Sequence, residues 1–332
     1  MPVTPPRPHP RTHPALGVAM VVVGSALFAV NGTIAKLVLR AGFDEPQLTT
    51  LRATGAFAGL LVLCFAVRPG PIRLAVTRRE LPLLVTYGLA GFFLVPMLYF
   101  VSIARLPVGI ALLFEYTATL FVALWARFGQ HARVKPRLWG GLVLSLIGLA
   151  GVAEVWGDVR LNGIGVAAGF VAAVLLAGYY ILGARGIRSR DTLSLTCWAF
   201  GFAALAGMIV RPWWRFPAGV LRGTSNGVPV WLLCAYIIVF GSIVPYLLVA
   251  GALRHLPATS VGIIGMVEPV IATAVAWLVL GEALDPAQLT GGALVLLGVG
   301  LAETARAAVP AQPPATPDIV AATAGDVRDL AR

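Results

Sequence analysis

Residues 265–284 read GMVEPVIATAVAWLVLGEAL, a run long and apolar enough for a membrane interior except that Glu268 stands directly before Pro269 near its middle. A carboxylate at that depth costs roughly 3 kcal/mol on the lenient insertion scales, and the proline beside it removes a backbone donor. Two expensive neighbours mark a position with a task. The rest of the chain supports the membrane setting: 58% of its 332 residues are hydrophobic and 12% charged, whereas an average soluble domain carries about a quarter charged residues. Its mean hydropathy is +0.87.

The net charge of +11 does not point to nucleic acid, because Lys and Arg are scattered among short loops and no basic, aromatic-interleaved face forms. Cys64, Cys197 and Cys234 all fall inside apolar runs and read as small core residues, with neither a disulfide framework nor zinc spacing. His9, His13, His131 and His255 lie in tails or inner loops and make no metal or proton-relay cluster. The opening MPVTPPRPHPRTHPALG is proline-rich, and the apolar run after it is too long for a cleaved signal, so the first helix is expected to be retained.

About 20 apolar residues are needed to cross ~30 Å of hydrocarbon. On that measure the chain is expected to be an all-α integral membrane protein of ten transmembrane helices, at 15–39, 48–67, 81–104, 107–127, 137–156, 162–183, 192–210, 229–252, 257–280 and 287–304. With the amino terminus inside, inner segments hold 17 of the 25 Lys and Arg and outer loops six, while Lys36 and Arg52 fall within helices. Short cytoplasmic loops carry the positive excess, so both termini are expected in the cytoplasm of a bacterial inner-membrane protein. Trp213 and Trp214 suggest an interfacial belt in the outer loop that also holds Arg211, Arg215 and Arg222.

A shift of 150 residues lays Pro107 on Pro257, Pro136 on Pro286, Gly141 on Gly291 and Gly148 on Gly298, and a shift of 149 lays Val95-Pro96 on Val244-Pro245 and Arg105 on Arg254. Five helices per copy is an odd number, so the second copy must enter the membrane from the opposite side. The expected plan is two inverted five-helix repeats, residues 15–156 and 162–304, between disordered cytoplasmic tails at 1–14 and 305–332. Inverted halves with proline-interrupted helices suit a secondary transporter with one midplane site.

The segment MVEPVIATAVAWLVLGEALDPAQLTGGALVLLGVG, residues 266–300, with its E-P pair, G-E pair and glycine-rich last helix, resembles the second repeat of the EamA family of the drug/metabolite transporter superfamily. Lys36, Arg52 and LLFEYTATLFVALW at 112–125 resemble the family's first repeat. The likeness covers nearly the whole chain and implies ten helices around a central cavity and a metabolite transporter, often an exporter of amino acids or drugs. The chain departs from the pattern where Thr119 stands opposite Pro269 and His131-Ala132 opposite Gly281-Glu282. Whether helix four bends like helix nine is therefore left open.

Glu115 lies eight residues after Pro107, roughly 12 Å along helix four, and Glu268 eleven after Pro257. Glu268 maps on the repeat to Ala118, three positions from Glu115, so both carboxylates are expected near the midplane on similar faces of related helices. They fit either an ammonium-bearing substrate or a proton site, or else neutral clamps between helices. Lys36 and Arg52, toward the outer helix ends, either snorkel to the headgroups or face the vestibule, pairing with Glu154 or a substrate carboxylate. Tyr116, Asn31, Tyr179, Trp277, Tyr180 and Ser242 are cavity-lining candidates that fit helix packing equally well. Pro96, Pro245 and Pro269 are expected at bends.

The chain has no H-E-x-x-H, G-x-S-x-G or Walker A loop, which argues against an enzyme or an ATP-driven pump. No cofactor or metal is expected. The partners expected are a small-molecule substrate and the bilayer, with a proton or an exchanged metabolite for coupling. A membrane-embedded structural or assembly protein is the alternative, and it gives no reason for two midplane glutamates in inverted halves.

Overall fold

The computed structural model describes residues 13–67, 74–155, 161–280 and 285–307, with backbone alone for 218, 275–280 and 306–307. Helices follow one another with short connections: α1 (Pro14–Arg40), α2 (Glu45–Val67), α3 (Leu81–Arg105), α4 (Val108–Gly129), α5 (Pro136–Val152), α6 (Gly163–Ser189), α7 (Thr192–Val210), α8 (Val230–Ala252), α9 (Ala258–Gly265 continued by Glu268–Leu280) and α10 (Pro286–Ala307). Among the described residues, eight helices are long and apolar enough to cross a membrane, and α5 and the described part of α9 are shorter apolar helices. Large apolar side chains also cover the outside, as with Val62, Ile209 and Leu297 at 68%, 75% and 64% exposure. A helix apolar on every side belongs in lipid.

Prolines fix many of the helix starts. Pro14, Pro136 and Pro286 stand in the first turns of α1, α5 and α10, where a missing N–H is one the helix would not have used. Pro107 and Pro257 precede α4 and α9. Asn162 caps α6 by accepting from Ile164 N and Gly165 N, and Asp191 caps α7 by accepting from Ser194 N. Several ends differ from the expected ones. α5 stops at Val152 because Glu154 turns into positive φ, α6 continues to Ser189 and so carries Arg185 and Arg188 on a helix, and α10 reaches Ala307. The expected tails, 1–14 and 305–332, lie outside the described residues except at their helix-proximal ends.

The packing repeats itself between halves. α5 lies on α10 and α2 on α7, while α3 and α4 flank α6 as α8 and α9 flank α1. Exchanging the halves maps this set of neighbours onto itself. Matching helices run antiparallel: Thr50, early in α2, meets Gly207, late in α7, and Gly148, late in α5, meets Gly291, early in α10. In the α5/α10 seam a β-carbon at Gly148 would stand 2.6 Å from Gly291 O, one at Gly291 the same distance from Gly148 O, and one at Gly298 2.6 Å from Gly141 O. Backbone touches backbone there, which only glycine permits.

Irregularities also recur in pairs. A π-helical stretch precedes each Val-Pro, Gly88–Leu94 before Val95-Pro96 in α3 and Val239–Ile243 before Val244-Pro245 in α8. α9 breaks at Met266 and Val267, whose N–H groups bond three residues back, directly before the Glu268-Pro269 pair. α4 breaks at the matching place without a proline. Thr117 N bonds back to Phe114 O, Thr117 Oγ1 donates to the same carbonyl at 2.6 Å, and Thr119 Oγ1 donates to Tyr116 O at 2.7 Å. Hydroxyls thus absorb the carbonyls that an interrupted helix frees.

The two ends of the bundle differ. At one end Asp44 pairs with Arg211 at 2.5 Å and Glu45 with Arg105 at 2.9 Å, fastening the start of α2 to the ends of α7 and α3. Beneath them sits an apolar cluster containing Val38, Phe43, Leu48, Phe100 and Ile103. Beside it Trp213–Arg215 forms a 3-10 turn, with Trp213 and Trp214 exposed, followed by the hairpin Thr224–Ser225/Val228–Pro229. The opposite end opens as a recess of about 1330 Å³ whose cations are Arg133, Lys135, Arg185, Arg188, Arg190 and Arg254.

Candidate functional site

Between these ends lies a separate cavity of about 90 Å³. A water takes roughly 10–15 Å³ on this measure, so the space corresponds to a small solute of several heavy atoms. α1, α2, α3, α4, α6, α8 and α9 line it, and α5 and α10 contribute nothing. The sequence candidates Asn31, Arg52, Glu115, Tyr116, Tyr179 and Glu268 all reach its wall, as does Tyr180.

The helix breaks deliver both carboxylates. Glu268 opens the second part of α9, and Glu115 is the penultimate residue before the break in α4. Glu268 is 8% exposed and accepts a hydrogen bond of 2.7 Å from Tyr116 Oη. Glu115 and Glu268 lie within electrostatic reach of each other, and among the described residues no cation forms an ion pair with either. Two acidic groups from opposite halves therefore share one cavity with a phenol as a nearby donor.

Arg52 is 2% exposed, so its reading as a side chain snorkelling to headgroups is replaced by an inward position. Its Nη2 donates to Phe92 O at 3.0 Å, its Nη1 to Ser242 Oγ at 3.4 Å, and the guanidinium carbon lies 5.5 and 5.2 Å from the ring centroids of Phe200 and Tyr246. Ser242 is fully buried behind the wall and holds Arg52. Asn31 packs against Gly241 where a β-carbon would not fit, and its Oδ1 has no hydrogen-bond partner. Lys36 is half-buried on α1 away from the cavity wall, and neither it nor Arg52 pairs with Glu154. The Trp277 side chain lies outside the described residues.

Sequence reasoning missed Tyr99, Tyr246 and Phe28, which also line the cavity. Tyr246 directly follows Pro245 and Tyr99 comes three residues after Pro96, so proximity to the repeated Val-Pro pairs was the available signal. Tyr246 belongs to an aromatic wall with Phe92, Tyr179 and Phe200, with ring centroids 4.6, 5.9 and 5.3 Å away. Such a wall is rigid and mostly apolar.

The chain is 29% identical over 297 residues to the threonine/homoserine exporter RhtA of Escherichia coli K12, with 88% of this chain and 92% of that protein covered. An uncharacterized transporter of Archaeoglobus fulgidus is 28% identical over 86% of this chain and 96% of its own length. A crystal structure of 21% identity aligns with a TM-score of 0.67 over 88% of this chain and 98% of its own, which shows a common fold. The EamA-like transporter family matches residues 15–153 and again 163–304. Two matches in tandem cover nearly all of a chain whose matching helices pair antiparallel about a buried cavity, and the protein is a multi-pass membrane protein belonging to the EamA-like transporter family.

Proposed function

We propose that the protein is a secondary exporter that moves a small metabolite, such as an amino acid, by alternating access. The observation that carries this reading is the pair of carboxylates, Glu115 and Glu268, brought by equivalent helix breaks of the two halves into one cavity without a paired cation among the described residues. They suit a substrate ammonium group or a transported proton, and Tyr116, Asn31 and Tyr179 add polar and aromatic contacts. The exporter relatives favour outward movement of an amino acid. No ATP site is needed, since two mirrored halves interconvert around a site that binds in both shapes.

The full architecture in this proposal is ten spans in two inverted five-helix repeats, with both termini in the cytoplasm of a bacterial cell. Its support is the antiparallel pairing of α2 with α7 and of α5 with α10, together with the concentration of Arg and Lys at the recessed end. Arg105 and Arg254, which correspond in the repeat, should then face opposite sides. In a background lacking native cysteines, Arg105→Cys is expected to react with a membrane-impermeant maleimide added outside whole cells, and Arg254→Cys only in inverted vesicles. Reaction of both from one side would make the halves parallel.

The function itself is tested in proteoliposomes containing the purified chain and loaded with radiolabelled L-threonine, L-homoserine or other amino acids. Release of at least one solute faster than from protein-free vesicles, without nucleotide, is expected. If none moves in either direction across the panel, the exporter reading for amino acids fails.

A further inference from the structure

We infer that Arg52 is a positioning residue, a strut that replaces the hydrogen bond removed by Pro96 and ties the kinked α3 and α8 of opposite halves together at the cavity wall. The inference starts from a missing donor. An N–H at residue 96 would return to the carbonyl of residue 92 in α-helical register, or to that of residue 91 in the π register that Val95 N keeps by bonding to Ala90 O, and a proline has no N–H for either. Phe92 O is the carbonyl that receives Arg52 Nη2, at 3.0 Å. In hydrocarbon such a carbonyl has no water to turn to, so a neighbouring helix must supply the donor.

The other arm reaches the corresponding place in the second half. Gly241 stands four residues before Pro245, and the adjacent Ser242 Oγ, in the π-helical stretch, accepts from Arg52 Nη1 at 3.4 Å while donating to Ile237 O at 2.8 Å in the preceding turn. One planar guanidinium therefore bonds at both Val-Pro kinks. Phe200 from α7 and Tyr246 from α8 cover it by cation–π contact. Only Nε is left without a partner. A group used this fully by the protein governs how the halves meet, and the acids across the cavity are left to meet the substrate. Lysine cannot take its place, because a single ammonium lacks the rigid fork that spans two acceptors on different helices.

The strut assignment predicts an energetic coupling between Arg52 and Pro96 that needs no substrate to observe. Arg52→Lys is expected to lower the melting temperature of the purified protein. In a Pro96→Ala background, where residue 96 again has an N–H for Phe92 O, the same change is expected to cost less than half as much. Equal losses in both backgrounds would overturn the assignment. If Arg52→Lys alone gives no folded protein, Pro96→Ala is expected to restore a monodisperse size-exclusion peak, and failure to restore it counts equally against the strut.

A transport measurement separates positioning from substrate contact and rests on the exporter reading. With radiolabelled L-threonine, Arg52→Lys should reduce the maximal rate with little change in KM, and Pro96→Ala should recover part of that rate. A raised KM with an undiminished maximal rate would make Arg52 a substrate ligand instead. Should threonine not be carried, the exporter reading has failed for that solute, and the melting experiment still decides the strut.

Discussion

Glu268→Gln is expected to reduce substrate efflux at least tenfold, about 1.4 kcal/mol in activation free energy, while expression and membrane insertion stay near wild type. Glutamine keeps the volume and an oxygen to accept from Tyr116 Oη, which lies 2.7 Å from the carboxylate, and gives up only the capacity to ionise. Glu268→Leu should behave differently. It leaves the Tyr116 hydroxyl without its acceptor in a buried site, at a cost of about 1–3 kcal/mol, so it should impair folding as well as transport. Efflux by the glutamine variant equal to wild type in both acid and alkaline buffers would make Glu268 a neutral clamp between α4 and α9. The same test at Glu115, whose carboxylate lies within electrostatic reach, shows whether one acid or both are required.

Enlarging a glycine in the α5/α10 seam should be the most damaging change to the fold. At Gly148 or Gly291 the first added carbon would lie 2.6 Å from backbone atoms of the opposite helix, and backbone cannot step aside as a flexible side chain can. Overpacking commonly costs about 1–3 kcal/mol, and a clash with main chain on both sides belongs at or beyond the upper end. Gly148→Val and Gly291→Val are each expected to abolish the monodisperse size-exclusion peak. Gly163→Ala and Gly300→Ala, which would meet nothing within 4 Å, should leave it intact. A folded Gly148→Val protein with wild-type melting would show that the seam is looser than this geometry.

Helix positions were legible because hydrocarbon sets a minimum apolar length, and the internal duplication was legible because proline and glycine have few substitutes at helix starts and close contacts. The break in α4 was not. Proline announces a lost donor in the sequence, whereas Thr117 and Thr119 accommodate the break through hydroxyl-to-carbonyl bonds that many threonines never make. The two acids could be placed near the midplane by counting from Pro107 and Pro257, and both reach the cavity. Arg52 could not be placed by counting. Its burial depends on a serine 190 residues away and a carbonyl 40 residues away, and no local rule relates such positions. Tyr99 and Tyr246 were missed for a related reason, since a kink redirects the side chains around it and residue spacing ceases to report the face.

The α5/α10 seam also has a mechanical consequence. A slide of one residue would displace a helix by about 1.5 Å along its axis, against a partner whose backbone, Ser145 Oγ and Ala302 Cβ leave no room for a β-carbon at Gly148, Gly291, Gly298 or Gly141. In the proposed alternating access, translation along so close a seam would be opposed, and tilting about it is the motion left. The seam would then serve as a fulcrum. Because α5 and α10 contribute nothing to the cavity, the candidate site would lie out on the lever arm, where a small angle becomes a large displacement. A lever of this kind would couple its two ends: widening the gap on the side of the Asp44–Arg211 and Glu45–Arg105 pairs would draw together the walls of the basic recess opposite.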